Sequence, residues 1–292
     1  MRPSTVDALV AAGLDPTEVS RVIRVALEED LGPDGIDVTS RATIPADQTD
    51  TAELVARGDG IVAGLIVAAA VFELIDQRVV VEPRIADGTR VTRGTPLATV
   101  TGPTRALLTG ERTALNLLCR MSGIATHTRA WADALAGSKA RVLDTRKTTP
   151  GLRALEKYAV RAGGGDNKRM GLYDVAMIKD NHIRAAGGIA PAFARVRAAY
   201  PNLPVQVEVT SVAEAEAAVA AGADFLLCDN LEPDELRAIV AAVGDRAELE
   251  ATGGLTLPRA REYAETGVDY LSVGALTHSS PILDIALDLR GR

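Results

Sequence analysis

After about residue 140 the chain alternates short apolar strands with alanine-rich amphipathic stretches, and this alternation restricts the fold more than any other feature. Strand-like runs lie at Arg141–Asp144, Val175–Ile178, Val205–Val209, Phe225–Cys228, Leu249–Ala251 and Tyr270–Val273. Helix-like segments at Ala213–Ala221, Pro233–Val243 and Leu257–Thr266 fall between them. Strands and helices in turn, spaced by twenty to thirty-odd residues, signal a parallel α/β unit, closed as a barrel or open. Six strands are fewer than the eight of a standard barrel. A smaller or irregular barrel is expected.

The first 110 residues have another texture. Val19–Leu31 reads as a helix, and Thr51–Ala56, Val79–Glu82 and Thr95–Thr101 read as strands, the last closed by Gly102-Pro103. Ala86-Asp87-Gly88 reads as a turn before Thr89–Val91, and Arg57-Gly58-Asp59-Gly60 as a hairpin turn. This predicts an α+β sandwich on an antiparallel sheet. A long helix is expected from Thr104, with Pro103 suited to its first turn. Leu108, Leu115 and Cys119 share one stripe of that helix, and Arg112 lies at its edge. Arg112 either snorkels from a buried face or points at an anionic ligand or a neighbouring subunit.

Composition removes several function classes. At 292 residues the chain has room for about two domains. A net charge of −7 and 3% aromatic residues suit neither duplex nor single-stranded nucleic acid. Cys119 and Cys228 form no CxxC pair, and His127, His182 and His278 match no HExxH pattern. No signal peptide is recognisable in the opening residues. The apolar run Ile61–Phe72 has 12 residues, against the ~20 needed to span a bilayer. A cytoplasmic protein is expected.

In parallel α/β folds the chemistry gathers at the carboxyl ends of the strands, whose following loops open on one face. Here those ends carry Asp144 to Gly151 (DTRKTTPG), Lys179-Asp180-Asn181-His182, Glu208, Asp229-Asn230, Glu250 with Thr252-Gly253-Gly254, and Gly274 to His278. So many charges in one mouth are costly unless they serve a ligand. Arg146, Lys147, Lys179 and the loop residues Lys168-Arg169 form a cationic half; Glu208 and Asp229 form an anionic half. Thr252-Gly253-Gly254 and Gly274-Ala275 offer backbone N–H groups to a phosphate. A sugar phosphate with a carboxylated co-substrate fits this set. Taken singly, each piece has a plainer reading. Gly163–Gly165 makes a flexible loop, Glu208 and Asp229 pair with the lysines as structural ion pairs, and His278 serves as a cap. Glu250 takes no assigned role.

Several stretches resemble the quinolinate phosphoribosyltransferase family. They are Glu111 to Asn116 (ERTALN), Asp144 to Arg153 (DTRKTTPGLR), Leu155 to Val160 (LEKYAV), Ile178 to His182 (IKDNH), Glu208-Val209, Asp229-Asn230, Gly253-Gly254 and Val273 to Ser279 (VGALTHS). The likeness is dense over residues 104–290 and looser before them.

The resemblance implies an N-terminal α+β open sandwich over 1–115, to which 281–292 returns, and a partly open, irregular α/β barrel over 116–280. It implies transfer of phosphoribosyl from phosphoribosyl pyrophosphate to quinolinate with decarboxylation, giving nicotinate mononucleotide, pyrophosphate and CO₂ in NAD biosynthesis. Lys147, Lys179, Glu208 and Asp229 would be catalytic. Arg146, Lys147, Lys168, Arg169 and Lys179 would hold the substrate carboxylates and phosphates. Glu208 and Asp229 would bind the ribose hydroxyls. Thr252, Gly253, Gly254, Gly274 and Ala275 would cradle the 5′-phosphate, with His278 nearby, and Thr145 and Val273 would complete the substrate site. Mg²⁺ would arrive with phosphoribosyl pyrophosphate, with no protein metal site. The resemblance also implies a homodimer in which Arg112 reaches the neighbouring active site.

Two departures stand out. Lys168 occupies a position where the family usually has His, and Thr252 one where Ser is usual. The first keeps a positive charge but loses the planar ring, which opens the choice of pyridine acid. A Schiff-base lyase using Lys147 or Lys179, or a non-catalytic binding paralogue, are the readings from other classes.

Overall fold

The computed structural model describes residues 1–290, which divide into two compact units. Unit 1 takes residues 1–129, 149–164 and the chain from Ser279. It contains α1 (Pro3–Ala11), α2 (Pro16–Leu31), α3 (Val38–Thr43), β1 (Thr49–Ala56), β2 (Gly60–Ile61), α4 (Leu65–Ile75), β3 (Val80–Pro83), β4 (Arg90–Val91), β5 (Pro96–Pro103) and most of α5 (Thr104–Ala134). Unit 2 takes residues 130–148 and 165–278.

Local chemistry explains the unit 1 elements. Asp15 accepts the N–H of Thr17 and Pro16 starts the first turn of α2, while Val19, Ile23 and Leu27 make the buried stripe. Helix α4 is apolar on almost every side and buried accordingly, which accounts for the apolar run noted in the sequence. The antiparallel sheet runs β12 (Ile285–Leu289), β1, β5, β3. Strand β12 pairs with β1 from Ala52–Leu289 to Ala56–Ile285. The expectation for 281–292 extends over residues 291 and 292, which lie outside the described residues.

Three expectations for this region change. Strand β5 does not stop at Thr101 but continues through Gly102 and Pro103, paired with Asp50 and Thr49. Gly102 suits that edge because a Cβ there would come within 2.9 Å of the Val79 backbone. The Arg57–Gly60 bend is no hairpin turn: it leads to β2, which pairs with β4, whereas β1 is flanked by β12 and β5. The unit boundary falls after Arg129 rather than at 115/116, because α5 is unbroken and is tied to the β2 region. Thr126 Oγ1 accepts the Ile61 N–H at 2.8 Å, and Ser122 Oγ accepts that of Ala63 at 3.0 Å. Helix α6 (Arg153–Ala162) also belongs to unit 1, where the Tyr158 hydroxyl donates to Asp87 at 2.6 Å.

Unit 2 holds one parallel sheet in the order β6 (Arg141–Leu143), β11 (Tyr270–Ser272), β10 (Glu248–Thr252), β9 (Phe225–Asp229), β8 (Val205–Val209), β7 (Ala176–Ile178). The six strands fall where the apolar runs predict them. The sheet stays open between β6 and β7, as a partly open α/β barrel requires, with a single bridge from Leu143 to Asp166 beyond β6. Every residue of β8 is buried, as in a strand covered on both faces. The connecting helices are α7 (Asp180–Ala186), α8 (Ile189–Ala199), α9 (Val212–Ala220), α10 (Pro233–Val243) and α11 (Ala260–Ala264), with the short α12 (Ala275–His278) after β11. The predicted helix 257–266 is shorter, a 3₁₀ turn over Leu257–Arg259 leading into α11. Among the described residues no helix is long and apolar enough to cross a membrane.

Candidate active site

The carboxyl ends of the unit 2 strands surround a cavity of about 490 Å³. Ten of the residues singled out from the sequence line it: Thr145, Arg146, Lys147, Lys168, Arg169, Lys179, Asp229, Thr252, Gly253 and Gly254.

Each is placed by a local device. After β6, Thr145 Oγ1 accepts the N–H of Lys147 at 3.0 Å and Thr277 Oγ1 donates to the Lys147 carbonyl at 2.9 Å. The Lys147 backbone is therefore pinned while its ammonium stays exposed. Asp144, wholly buried, accepts from Asn167 Nδ2 at 2.6 Å and from the Lys168 N–H at 2.9 Å. The DTRKTTPG motif thus orders the glycine-rich loop as well as itself. Arg169 donates to the Val175 carbonyl at 3.2 Å. Burial, then the neighbouring Arg146, hold its guanidinium below the ordinary arginine range.

At the end of β7 the buried Ile178 anchors the strand, and His182 Nδ1 accepts the Lys179 N–H at 3.0 Å. The Lys179 ammonium donates to Glu208, at the far end of β8. Glu208 is therefore not part of the cavity lining but reaches the site through Lys179. Burial, and after it the charge of Glu208, push the Asp229 carboxyl above its ordinary value. Asn230, the next residue, has a left-handed backbone (φ 54°), and its Nδ2 donates to Asp229 at 3.1 Å. Gly253 is also left-handed (φ 90°) and packs so closely on Asn230 that a Cβ would overlap the amide oxygen.

The remaining expectations fall elsewhere. Gly274 and His278 adjoin the Lys147 stem: a Cβ on Gly274 would lie 2.9 Å from Lys147 Cδ and 3.2 Å from His278 Nε2. Ala275 opens α12 beside them. Neither Gly274, Ala275 nor His278 lines the cavity itself. Val273 does not line the cavity. Its side chain is buried, its N–H donates to Leu143 O at 3.0 Å, and its carbonyl accepts the Leu276 N–H. Arg112 is an exposed residue of α5 in unit 1.

Sequence reasoning missed Met177, Leu227 and Ser272 as lining residues, and named Asn230 and Glu250 at strand ends without giving them a role. Asn230 carries a signal in its place directly after Asp229. Met177, Leu227 and Ser272 look like ordinary strand residues, and only the inward phase of each strand brings them to the cavity. Glu250 is fully buried and paired with the Lys168 ammonium. Lys168 is therefore no free surface cation, and burial holds its ammonium below the ordinary lysine value. The cavity thus joins cations, the Asp229 carboxylate with Glu208 held behind Lys179, and backbone N–H groups, a set able to grip anions beside a hydroxylated ring.

Residues 37–122 match the profile of the quinolinate phosphoribosyl transferase N-terminal domain, and residues 124–288 match that of its C-terminal domain. The chain belongs to the quinolinate phosphoribosyltransferase family. It is 52% identical to a nicotinate-nucleotide pyrophosphorylase [carboxylating] of Mycobacterium leprae, over 91% of this chain and 95% of that one. A probable enzyme of the same name from Bacillus subtilis is 45% identical, covering 89% and 90%. The solved nicotinate-nucleotide pyrophosphorylase of Francisella tularensis superposes with a TM-score of 0.90 at 36% identity, covering 94% of this chain and 96% of that one. The family likeness extends through unit 1, where the sequence motifs were sparse.

Proposed function

We propose that this chain is a phosphoribosyltransferase that joins quinolinate to phosphoribosyl pyrophosphate with loss of CO₂, making nicotinate mononucleotide for NAD biosynthesis. The observation that carries this reading is the single cavity in which Arg146, Lys147, Arg169 and Lys179 face Asp229 and the Thr252-Gly253-Gly254 turn.

In this mechanism the pyridine nitrogen forms a bond to the anomeric carbon while the bond from that carbon to pyrophosphate breaks, and the electron pair leaves with pyrophosphate. Positive charge grows on the ribose, and Asp229 and Glu208 stabilise it while binding the hydroxyls. Lys147 and Lys179 offset the charge of the leaving group and of the diacid, and Arg146, Lys168 and Arg169 hold the carboxylates. Thr252, Gly253 and Gly254 bind the 5′-phosphate, with Gly274, Ala275 and His278 bordering Lys147. The C–C bond to the adjacent carboxylate then breaks, its electrons enter the pyridinium ring, and the ring carbon takes a proton from solvent.

Among the described residues no three His, Cys, Asp or Glu side chains are grouped to hold a metal ion. We assign Mg²⁺ to the substrate, carried on the pyrophosphate. We propose further, from the family resemblance, a homodimer in which Arg112, exposed on α5, serves the partner's cavity. We place the reaction in the cytoplasm.

Incubation with carboxyl-labelled quinolinate, phosphoribosyl pyrophosphate and Mg²⁺ tests the reading: labelled CO₂ and nicotinate mononucleotide should appear in equal amounts. Absence of both overturns it. Lys168, where the family usually has His, leaves one narrower variant to test, the same chemistry on another pyridine carboxylate. Competition between quinolinate and pyridine monoacids separates the two.

A further inference from the structure

Lys168 and Glu250 form a buried ion pair in the wall of the cavity, with side-chain exposures of 8% and 0%. One oxygen of Glu250 accepts from the Lys168 ammonium. The other, Oε2, has no hydrogen-bond partner among the described residues. Glu250 projects from β10 and Lys168 from the loop fixed by Asp144, so the pair ties the cationic loop to the middle of the sheet. Nothing in the hydrogen bonding of β10 requires a charge here, because Glu250 sits in register between Leu227 and Tyr270. A buried carboxylate without a structural duty to the strand must be matched to its cation.

We propose that Glu250 is a positioning residue of the reaction, holding Lys168 in place and charged so that its ammonium can grip a carboxylate of the pyridine substrate. This rests on the function proposed above and gives Glu250 the role that the reading of the sequence left open. The physical need is visible in the surroundings. Burial disfavours the charged ammonium, and Arg169 in the same loop and Lys179 after β7 oppose it further; Glu250 is the group that counters them in part, and the ammonium still lies below the ordinary lysine value. The other titratable groups on the cavity are Arg146 and Lys147 after β6 and Asp229 from β9, while β11 contributes the uncharged Ser272. Asp144 accepts the Lys168 backbone N–H, and Glu208 is engaged by Lys179. The Cys228 thiol is pushed up to about 12 by burial and then by the Glu250 carboxylate, so it stays neutral.

The test is steady-state kinetics of the full-length protein across pH 6 to 9, with the KM of each substrate measured separately. In Glu250→Gln the ammonium loses its counter-charge and gives up its proton at a lower pH. The quinolinate KM should then rise roughly 10- to 100-fold at the alkaline end, the loss of one charge-assisted contact, and recover as the pH falls. The phosphoribosyl pyrophosphate KM should change little. Lys168→Arg in the Glu250→Gln background, with a cation that cannot titrate, should flatten the pH dependence. If Glu250→Gln fails to fold, Lys168→Met/Glu250→Gln removes both charges, and it should fold with a quinolinate KM raised at every pH. A quinolinate KM that follows the unsubstituted profile, or that rises in step with the KM for phosphoribosyl pyrophosphate, overturns the proposal. Absence of labelled CO₂ with the unsubstituted protein would instead sink the underlying reaction, a separate outcome.

Discussion

Lys179 donates from its ammonium to Glu208, and the pair is lopsided: the carboxylate is 8% exposed while the lysine side chain is 45% exposed. Glu208 is held by the strand, and Lys179 is the member free to swing toward a ligand. The solvated lysine end lets the pair present its ammonium to a substrate, while the buried carboxylate depends on that ammonium for its counter-charge. Lys179→Ala and Lys147→Ala should each lower kcat by about 100-fold or more, on the scale seen when one preorganised electrostatic contact is removed; Lys147→Ala should leave Tm little changed, and Lys179→Ala should lower it because the buried Glu208 loses its counter-charge. Near-normal turnover in either variant, by steady-state assay, would remove that lysine from the mechanism.

Gly253 leaves no room for a side chain, because a Cβ there would overlap the Asn230 side-chain amide. Gly253→Ala meets both the left-handed backbone cost, on the order of 1–3 kcal/mol, and the overlap with the Asn230 amide. The expected result is a lower Tm together with a raised KM for phosphoribosyl pyrophosphate, because the turn that supplies phosphate-binding N–H groups must shift. Calorimetry with kinetics checks it; an unchanged KM argues against the turn as the phosphate cradle.

Arg112 gives a test of shared sites. Arg112→Ala and Lys147→Ala proteins should each be nearly inactive alone. Mixed and allowed to exchange subunits, they should regain up to about a quarter of the original activity in the hybrid's one intact site, as a two-fold interface permits. Mixtures no more active than their components would exclude Arg112 from a partner's cavity.

Stability should depend on pH through Asp37. Its carboxylate accepts the Ser40 hydroxyl and the Ser40 N–H at 3.0 Å, capping α3, and these bonds hold its pKa below the ordinary aspartate value. A lowered folded-state pKa means that the stabilisation is present above the unfolded value near 4 and is lost as pH falls through the folded one. Asp37→Ala should therefore cost about 1 kcal/mol at pH 7 and progressively less toward pH 3, measured by urea unfolding at each pH. A constant difference across that range would count against the cap as the source.

Gly123 is the close-packing position of α5. A Cβ there would strike the Pro281 carbonyl. Gly123→Ala should destabilise unit 1 by about 1–3 kcal/mol, read as a lowered Tm, because the clash is with backbone that cannot rotate away.

Much of unit 2 is legible in the chain itself. Its strands are short apolar runs bounded by glycine, aspartate and lysine, and a parallel strand buried on both faces leaves that mark in the chain itself. The identity of the charges at the strand ends was legible for the same reason, since DTRKTTPG and IKDNH place polar residues where a core would reject them. Pairing across distance was not legible. That β2 joins β4 instead of folding back on β1, that Val273 spends its backbone on Leu143, and that Glu250 and Lys168 meet inside the wall all depend on contacts between residues far apart in the chain. Local sequence sets which groups are available and which way a strand turns them. Which of them touch is decided by packing, because desolvation and close contact are properties of the assembled interior and act on whichever side chains the fold happens to bring together.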